Sequence, residues 1–225
     1  MKGKTRKKII DIFRYIMGFP KSIYINFKYF PLKIAIKLPI YVSHKVKFQN
    51  LEGEIILGKI KPGIVRIGFG SVENYDFKYT RTSLNFNGKI YFEGKAKIGY
   101  GSKISNEGTL ILGNNFQISA ASTIICRKKI KFGENNLIAW DSVIMDTDHH
   151  HIYNFNEEKI NENREINIGN NVWIGAKVFI LKGSQIPNDS VVGAGSIVSK
   201  KITEANVIIS GNPAKIVRKN IKWKE

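Results

Sequence analysis

Residues 168–203 read IGNNVW IGAKVF ILKGSQ IPNDSV VGAGSI VSKKIT, six units of six residues. Each unit opens on an aliphatic residue: Ile168, Ile174, Ile180, Ile186, Val192 and Val198. A step of six matches neither the period of an amphipathic helix nor the two-residue alternation of a half-buried strand. It suits an all-β solenoid of triangular section, in which each flat side is one short strand that sends one main aliphatic residue to the axis. Three sides of six make a coil of 18 residues. Stacked coils then pair their backbones and bury a continuous aliphatic column.

The same step appears earlier in shorter bursts: Phe92, Ile98 and Ile104; Leu112, Ile118 and Ile124; Phe132, Ile138 and Ile144. The bursts begin 20 residues apart, which is three sixes and a two-residue excess at one corner. Corners need tight turns, and Gly113, Asn114, Asn115, Gly133, Asn135, Asn136, Gly169, Asn170 and Asn171 supply residues that tolerate positive φ. An antiparallel sandwich of many short strands would show hairpin signals at irregular spacing instead.

These repeats resemble the hexapeptide-repeat acyltransferases, over roughly residues 88–218 and most strongly from Ile138 onward. The resemblance implies a left-handed parallel β-helix, a hand that departs from the usual right-handed crossover. Within that family the chain is similar to the branch that O-acetylates sugars, the galactoside, maltose and capsular-polysaccharide acetyltransferases. We expect the β-helix domain over residues 51–218, a basic N-terminal segment over 1–50, an extruded loop over 145–167 and a short tail over 219–225.

The loop reads MDTDHHHIYNFNEEKINENREI and holds His149, His150 and His151, three of the four histidines in the chain. A polar loop extruded from a regular solenoid is a common seat of function. Acetyl transfer to an alcohol needs a base, because a hydroxyl is a weak nucleophile until its proton is removed. An imidazole, with an ordinary pKa of about 6.5, takes that proton at neutral pH. The family carries an Asp-x-Asp-x-His-type string here, matched by Asp146-Thr147-Asp148-His149-His150. That match places the base at His150, with His149 in reserve because a slip of one residue would move the role. Asp146 and Asp148 are candidates for orienting the imidazole or binding sugar hydroxyls. Trp140 and Asp141, just before the loop, resemble acceptor-side positions, although packing at a subunit contact serves Trp140 equally well. Three consecutive histidines diverge in direction, so no metal site is expected from them. Cys126 has no sequence signature of an activated nucleophile beyond its neighbours Arg127 and Lys128.

The string from Val172 to Lys201, followed by SGNPAKIVRK, resembles the family's acetyl-CoA half. The resemblance implies that Trp173, Gly175 and Ala176 border the pantetheine arm and that Ala194 contributes backbone contacts. It places Ser199 and Lys200 near the adenine, and Lys215 and Arg218 near the phosphates, where basic side chains suit the charge. It also implies homotrimers with sites between subunits.

Formal net charge is +18. Residues 1–50 hold 12 Lys or Arg and one acid, Asp11, so most of the excess sits there. Lys2, Lys4, Arg6, Lys7 and Lys8 precede Ile9, Ile10, Phe13, Ile16 and Met17 at near-helical spacing. Basic residues beside aromatics suit a membrane interface; a helix packed on the end of the solenoid with a solvated basic face is the other reading. No nucleic-acid motif accompanies the charge, so no nucleic-acid partner is expected. No apolar run approaches the ~20 residues that span a bilayer, and no small-residue cleavage site follows Ile9–Phe19. One cysteine excludes an internal disulfide and fits a reducing cytoplasm. The function expected is acetyl-CoA-dependent O-acetylation of a sugar in surface-polysaccharide biosynthesis, in the cytoplasm, with the inner face of the plasma membrane as the place to which a membrane-binding N-terminus would bring it. N-acetylation of an amino sugar nucleotide and a non-catalytic scaffold in glycan assembly are the rivals.

Overall fold

A computed structural model describes residues 2–70, 72–73 and 80–224, with backbone only for 2–11. Among these residues the chain forms two helices, α1 (Lys2–Tyr29) and α2 (Leu32–Ala35), and then strands that climb in turn through three parallel sheets. Strand Phe116–Ala120 lies in the first sheet, Thr123–Cys126 in the second and Lys129–Phe132 in the third, and the next coil returns to the first at Leu137–Trp140. The result is a left-handed parallel β-helix. It begins earlier than expected: Ile40–Val42 already pairs with Val65–Phe69, so the first coil starts at Ile40 rather than Leu51.

The six-residue step becomes three buried columns. Ile98, Ile118, Ile138, Ile174, Val192 and Ile209 are register partners in the first sheet, and all are fully buried. Leu84, Ile104, Ile124, Ile144, Ile180 and Val198 do the same in the second. In the third, Phe132 pairs with Ile168 directly, so the column continues across the inserted loop. Each such side chain contributes roughly 1.5–3 kcal/mol of burial.

The two kinds of corner residue divide the work. Asn115, Asn135 and Asn171 adopt left-handed φ of 59°, 57° and 53°. Gly113, by contrast, is needed for closeness, because a Cβ there would lie 2.1 Å from the carbonyl oxygen of Gly133 on the next coil. The 20-residue coils widen at the corner between the second and third sheets. There Phe86, Asn106 and Cys126 stack inward as register partners.

Helix α1 closes the open end of the solenoid with an inverted face. Its buried stripe is Arg14, Gly18, Ser22, Ile25, Asn26 and, in part, Tyr29. These residues satisfy the first strand's exposed edge, as a capping element must. Asn26 donates to the Ile40 carbonyl (2.7 Å) and accepts from the Ile40 N–H (3.1 Å). Ser22 accepts from the Val42 N–H (2.9 Å). Phe13, Ile16 and Met17 therefore face outward, with Ile12, Phe19, Ile23, Tyr24 and Phe27. The side chains of Lys2, Lys4, Arg6, Lys7, Lys8, Ile9 and Ile10 lie outside the described residues.

Candidate active site

The inserted loop leaves the wide corner after Met145 and rejoins the third sheet at Ile166. Its root is Asp146, which continues the Cys126 column and is fully buried. The carboxylate accepts from the backbone N–H groups of Arg127 (2.7 Å), Lys128 (2.8 Å) and Lys129 (2.8 Å), and from the Cys126 thiol (3.7 Å). Asp146 thus holds the corner and does not face an acceptor. Burial, reinforced by the Asp146 charge, pushes the Cys126 thiol up to about 12, so it is no nucleophile at neutral pH.

Beyond the root the chain is tied by Asn161, a buried residue that the sequence reading passed over. Its Oδ1 accepts from the Ile152 N–H (2.8 Å), and its Nδ2 donates to the His150 carbonyl (2.8 Å) and the Asp148 carboxylate (2.9 Å). Lys182, from the following coil, pairs with Asp148 and donates to the Asn161 carbonyl (3.1 Å). The hydrogen bond from Lys182 outweighs the desolvation of Asp148 and holds its carboxyl below the ordinary range. Asp148 is thereby a strut of the loop.

The knot fixes the backbone on both sides of the histidines and leaves their rings outside. His149 takes a left-handed φ of 63° and its N–H donates to Thr147 Oγ1 (3.0 Å). The His150 N–H donates to the Asp148 carbonyl (2.7 Å). His149, His150 and His151 are exposed; His151 meets the Tyr153 ring edge-on at 6.3 Å. Among the described residues no group of three metal-ligating side chains forms.

The edge between the first and second sheets has a different character. Trp140, Ala176 and Ala194 succeed one another there on adjacent coils, next to the left-handed corners Asp141, Lys177 and Gly195. Large side chains give way to a trench of Gly175, Ala176, Gly193, Ala194 and Gly195. A Cβ on Gly175 would lie 2.7 Å from the Ala194 nitrogen, whereas one on Gly195 would meet open space. Gly175 is thus packed against the next coil and Gly195 faces open space, so the trench is an edge of small residues that a slender chain could follow. Its far end reaches the closing hairpin, where Ile208–Gly211 pairs antiparallel with Ala214–Arg218 and sets Lys215 opposite Ser210. Lys215 and Arg218 are exposed.

The expected site residues thus fall on separate surfaces. Trp140, Asp141, Gly175, Ala176, Ala194 and Lys215 share the trench edge. Ser199 and Lys200 follow the last strand of the second sheet, on the same edge as the loop. Trp173 points from the first sheet, between Leu137 and Val191, and is flanked by Trp223, ring centres 6.1 Å apart, while staying exposed. The Trp223 indole donates to the Asn171 carbonyl (2.7 Å), so the C-terminal segment folds back on the coil.

Between the loop edge and the trench edge lies the second sheet. Its outer row begins polar, with Lys47, Ser83 and Lys103, and turns apolar at Val143, Phe179 and Ile197, level with the loop and trench. The parallel row holds Ile125, Met145 and Leu181.

No family model matches the chain. The galactoside O-acetyltransferase of Escherichia coli (strain K12) is 42% identical over 98 residues, 43% of this chain and 47% of that protein. The polysialic acid O-acetyltransferase of Neisseria meningitidis is 45% identical over 102 residues, 45% of this chain and 47% of that protein. The chain thus spans about half the length of these curated relatives. Among solved structures, the polySia-specific acetyltransferase NeuO superposes with a TM-score of 0.66 over 82% of this chain and 80% of that chain, at 25% identity. The similarity to hexapeptide-repeat O-acetyltransferases read from the repeats is borne out by these relatives.

Proposed function

We propose that the protein is an acetyl-CoA-dependent O-acetyltransferase that acts on a sugar hydroxyl in surface-polysaccharide biosynthesis: capsule, exopolysaccharide or lipopolysaccharide. The observation that carries this reading is a histidine loop, knotted by Asn161 and Lys182, across one apolar sheet from an edge of small residues, the trench. His150 takes the hydroxyl proton as the oxygen attacks the thioester carbonyl, with His149 in reserve. The same imidazole returns that proton to the departing coenzyme A sulfur, so atoms and charge balance without an acyl-enzyme. Gly175 and Ala176 would border the pantetheine arm and the Ala194 backbone would contact it, with Lys215 and Arg218 toward the phosphates. Acceptor contacts fall to Trp140 and Asp141. The galactoside and polysialic acid relatives are both O-acetyltransferases, which favours an oxygen acceptor over an amino sugar.

One chain carries loop and trench on different edges, so each site needs the loop of one subunit and the trench of another. The apolar rows of the second sheet supply a surface for that contact, in a homotrimer. The outward face of α1 supplies a second contact, with an anionic membrane. Its exposed Phe13, Ile16, Met17, Phe19, Tyr24 and Phe27 would enter the headgroup layer. Lys21, Lys45, Lys47 and Arg81 line a cavity beside it, whose positive charge suits anionic headgroups. No helix among the described residues is long and apolar enough to cross a membrane; the contact proposed is a peripheral one at the inner face.

The test is thiol release from acetyl-CoA against sugars, sugar nucleotides and lipid-linked glycans, with wild type, His150→Ala and His149→Ala side by side. Acceptor-dependent release that falls about 10²–10⁴-fold in His150→Ala alone is the expected result. Full activity in His150→Ala would remove it from the role, and silence of wild type across the panel would count against the activity.

A further inference from the structure

Two cavities meet at one side chain, Tyr15 of α1. The first, about 400 Å³, is lined by Tyr15, Ile16, Phe19, Ser22 and Tyr41 and opens on the outward apolar face of the helix. The second, about 670 Å³, lies on the outer face of the first sheet. Lys59, Lys61, Arg66, Lys95 and Lys97 line it, with no carboxylate among the described residues. Arg66 and Lys97 are register partners on adjacent coils. Among the described residues, none of these five cations has an ion-pair partner.

The cavity walls are fitted closely. Gly63, at φ +59°, lies against the Tyr41 ring, where a Cβ would come within 2.5 Å of it. A Cβ on Gly70 would lie 3.1 Å from Lys97 Cε. Arg66 is held by its own hydrogen bond to the Gly63 carbonyl (3.2 Å) and lies over the Tyr15 ring at 5.8 Å. Tyr15 and Tyr41, edge to face at 5.6 Å, form the partition between the two cavities.

Five cations with no counter-ion among the described residues suit a multiply charged anion. A guanidinium and several ammonium groups suit phosphate oxygens. The apolar cavity next door narrows the choice, because a free anion would leave it unused. We propose that the paired cavities hold a lipid diphosphate-linked saccharide, with the diphosphate among Lys61, Arg66, Lys95 and Lys97. The start of the apolar chain lies over Ile16 and Phe19. The saccharide then runs along the first sheet toward the coil that carries the loop, two coils on, about 10 Å along the axis at ~4.8 Å per coil. This rests on the reading of the chain as a membrane-docked sugar acetyltransferase, and names the class of its acceptor.

A soluble sugar nucleotide offers the same diphosphate, so the test separates the two sources. Full-length protein is titrated, without acetyl-CoA, with phosphatidylcholine vesicles that carry undecaprenyl diphosphate or, at matched charge, phosphatidylglycerol. A soluble uridine diphosphate-sugar serves as competitor. Wild type should bind the prenyl diphosphate vesicles about tenfold more tightly than the matched ones, as a charge-assisted phosphate contact warrants. K61Q/K97Q should lose that preference and keep its thermal midpoint, since neither side chain holds the fold. Equal binding at matched charge, a preference that survives in the double variant, or displacement by the soluble sugar nucleotide would each overturn the proposal. Because no acetyl transfer is read, these outcomes are independent of whether the chain acetylates sugars.

Discussion

Asp146 and Asp148 stand two residues apart and do different work. Asp146 is spent on three backbone amides of the wide corner. Asp148 is spent on Lys182 and Asn161. A string of alternating acids gives no hint of that division, because it depends on which carboxylate falls on the inward column. Asn161 was equally hidden, as one of several asparagines in a polar loop. Cys126 was readable in part, since nothing beyond Arg127 and Lys128 marked it as an activated nucleophile. Its thiol, pushed up to about 12, should resist iodoacetamide in the native protein at pH 8 and react once the chain is unfolded, as followed by mass. The lowered pKa of Asp148 has a definite sign: its stabilisation is fully present above the ordinary carboxylate value of 3.8 and is lost as pH falls through the lowered folded value. Lys182→Met should therefore lower stability at pH 7, by under about 1 kcal/mol for so exposed a carboxylate, and the difference from wild type should shrink once Asp148 is protonated, leaving the bond to the Asn161 carbonyl. A difference undiminished in strong acid would assign the effect to that bond and to packing.

At the scale of elements, the period of six located the strands because a solenoid side has one inward residue to place per step. The columns through Ile118, Ile138 and Ile174 follow from it directly. Helix α1 shows where the same reasoning stops. Apolar residues at helical spacing normally mark the buried face, yet here that face is outward. The reason is the partner: α1 packs on a strand edge whose N–H and C=O groups need hydrogen bonds, so Ser22 and Asn26 go inward. Periodicity reports amphipathicity and is silent on which side meets the protein. Asn26→Leu should then cost about 2–4 kcal/mol in chemical denaturation, because the N–H and C=O of Ile40 lose their partners, despite the gain in hydrophobicity. A neutral or stabilising result would mean that α1 is not held by this edge.

At the scale of the molecule, the six-residue repeat decided the architecture, whereas the proposed site between subunits came from the resemblance alone, because nothing local in the sequence says which corner faces which. The loop and the trench flank the second sheet, and that sheet turns apolar only at their level. Assembly through this face would bring the loop of one chain to the trench of another, which is the central claim about how the protein works. Its most direct test is complementation between inactive chains. His150→Ala removes the base, and Ala194→Trp fills the trench. Refolded together at equal ratio, they should regain roughly a quarter of wild-type thiol release, half times half, because a site is whole when an intact loop meets an intact trench across a subunit contact. A mixture as inactive as its two components, under conditions in which mass analysis shows hybrid assemblies, would contradict a site shared between subunits.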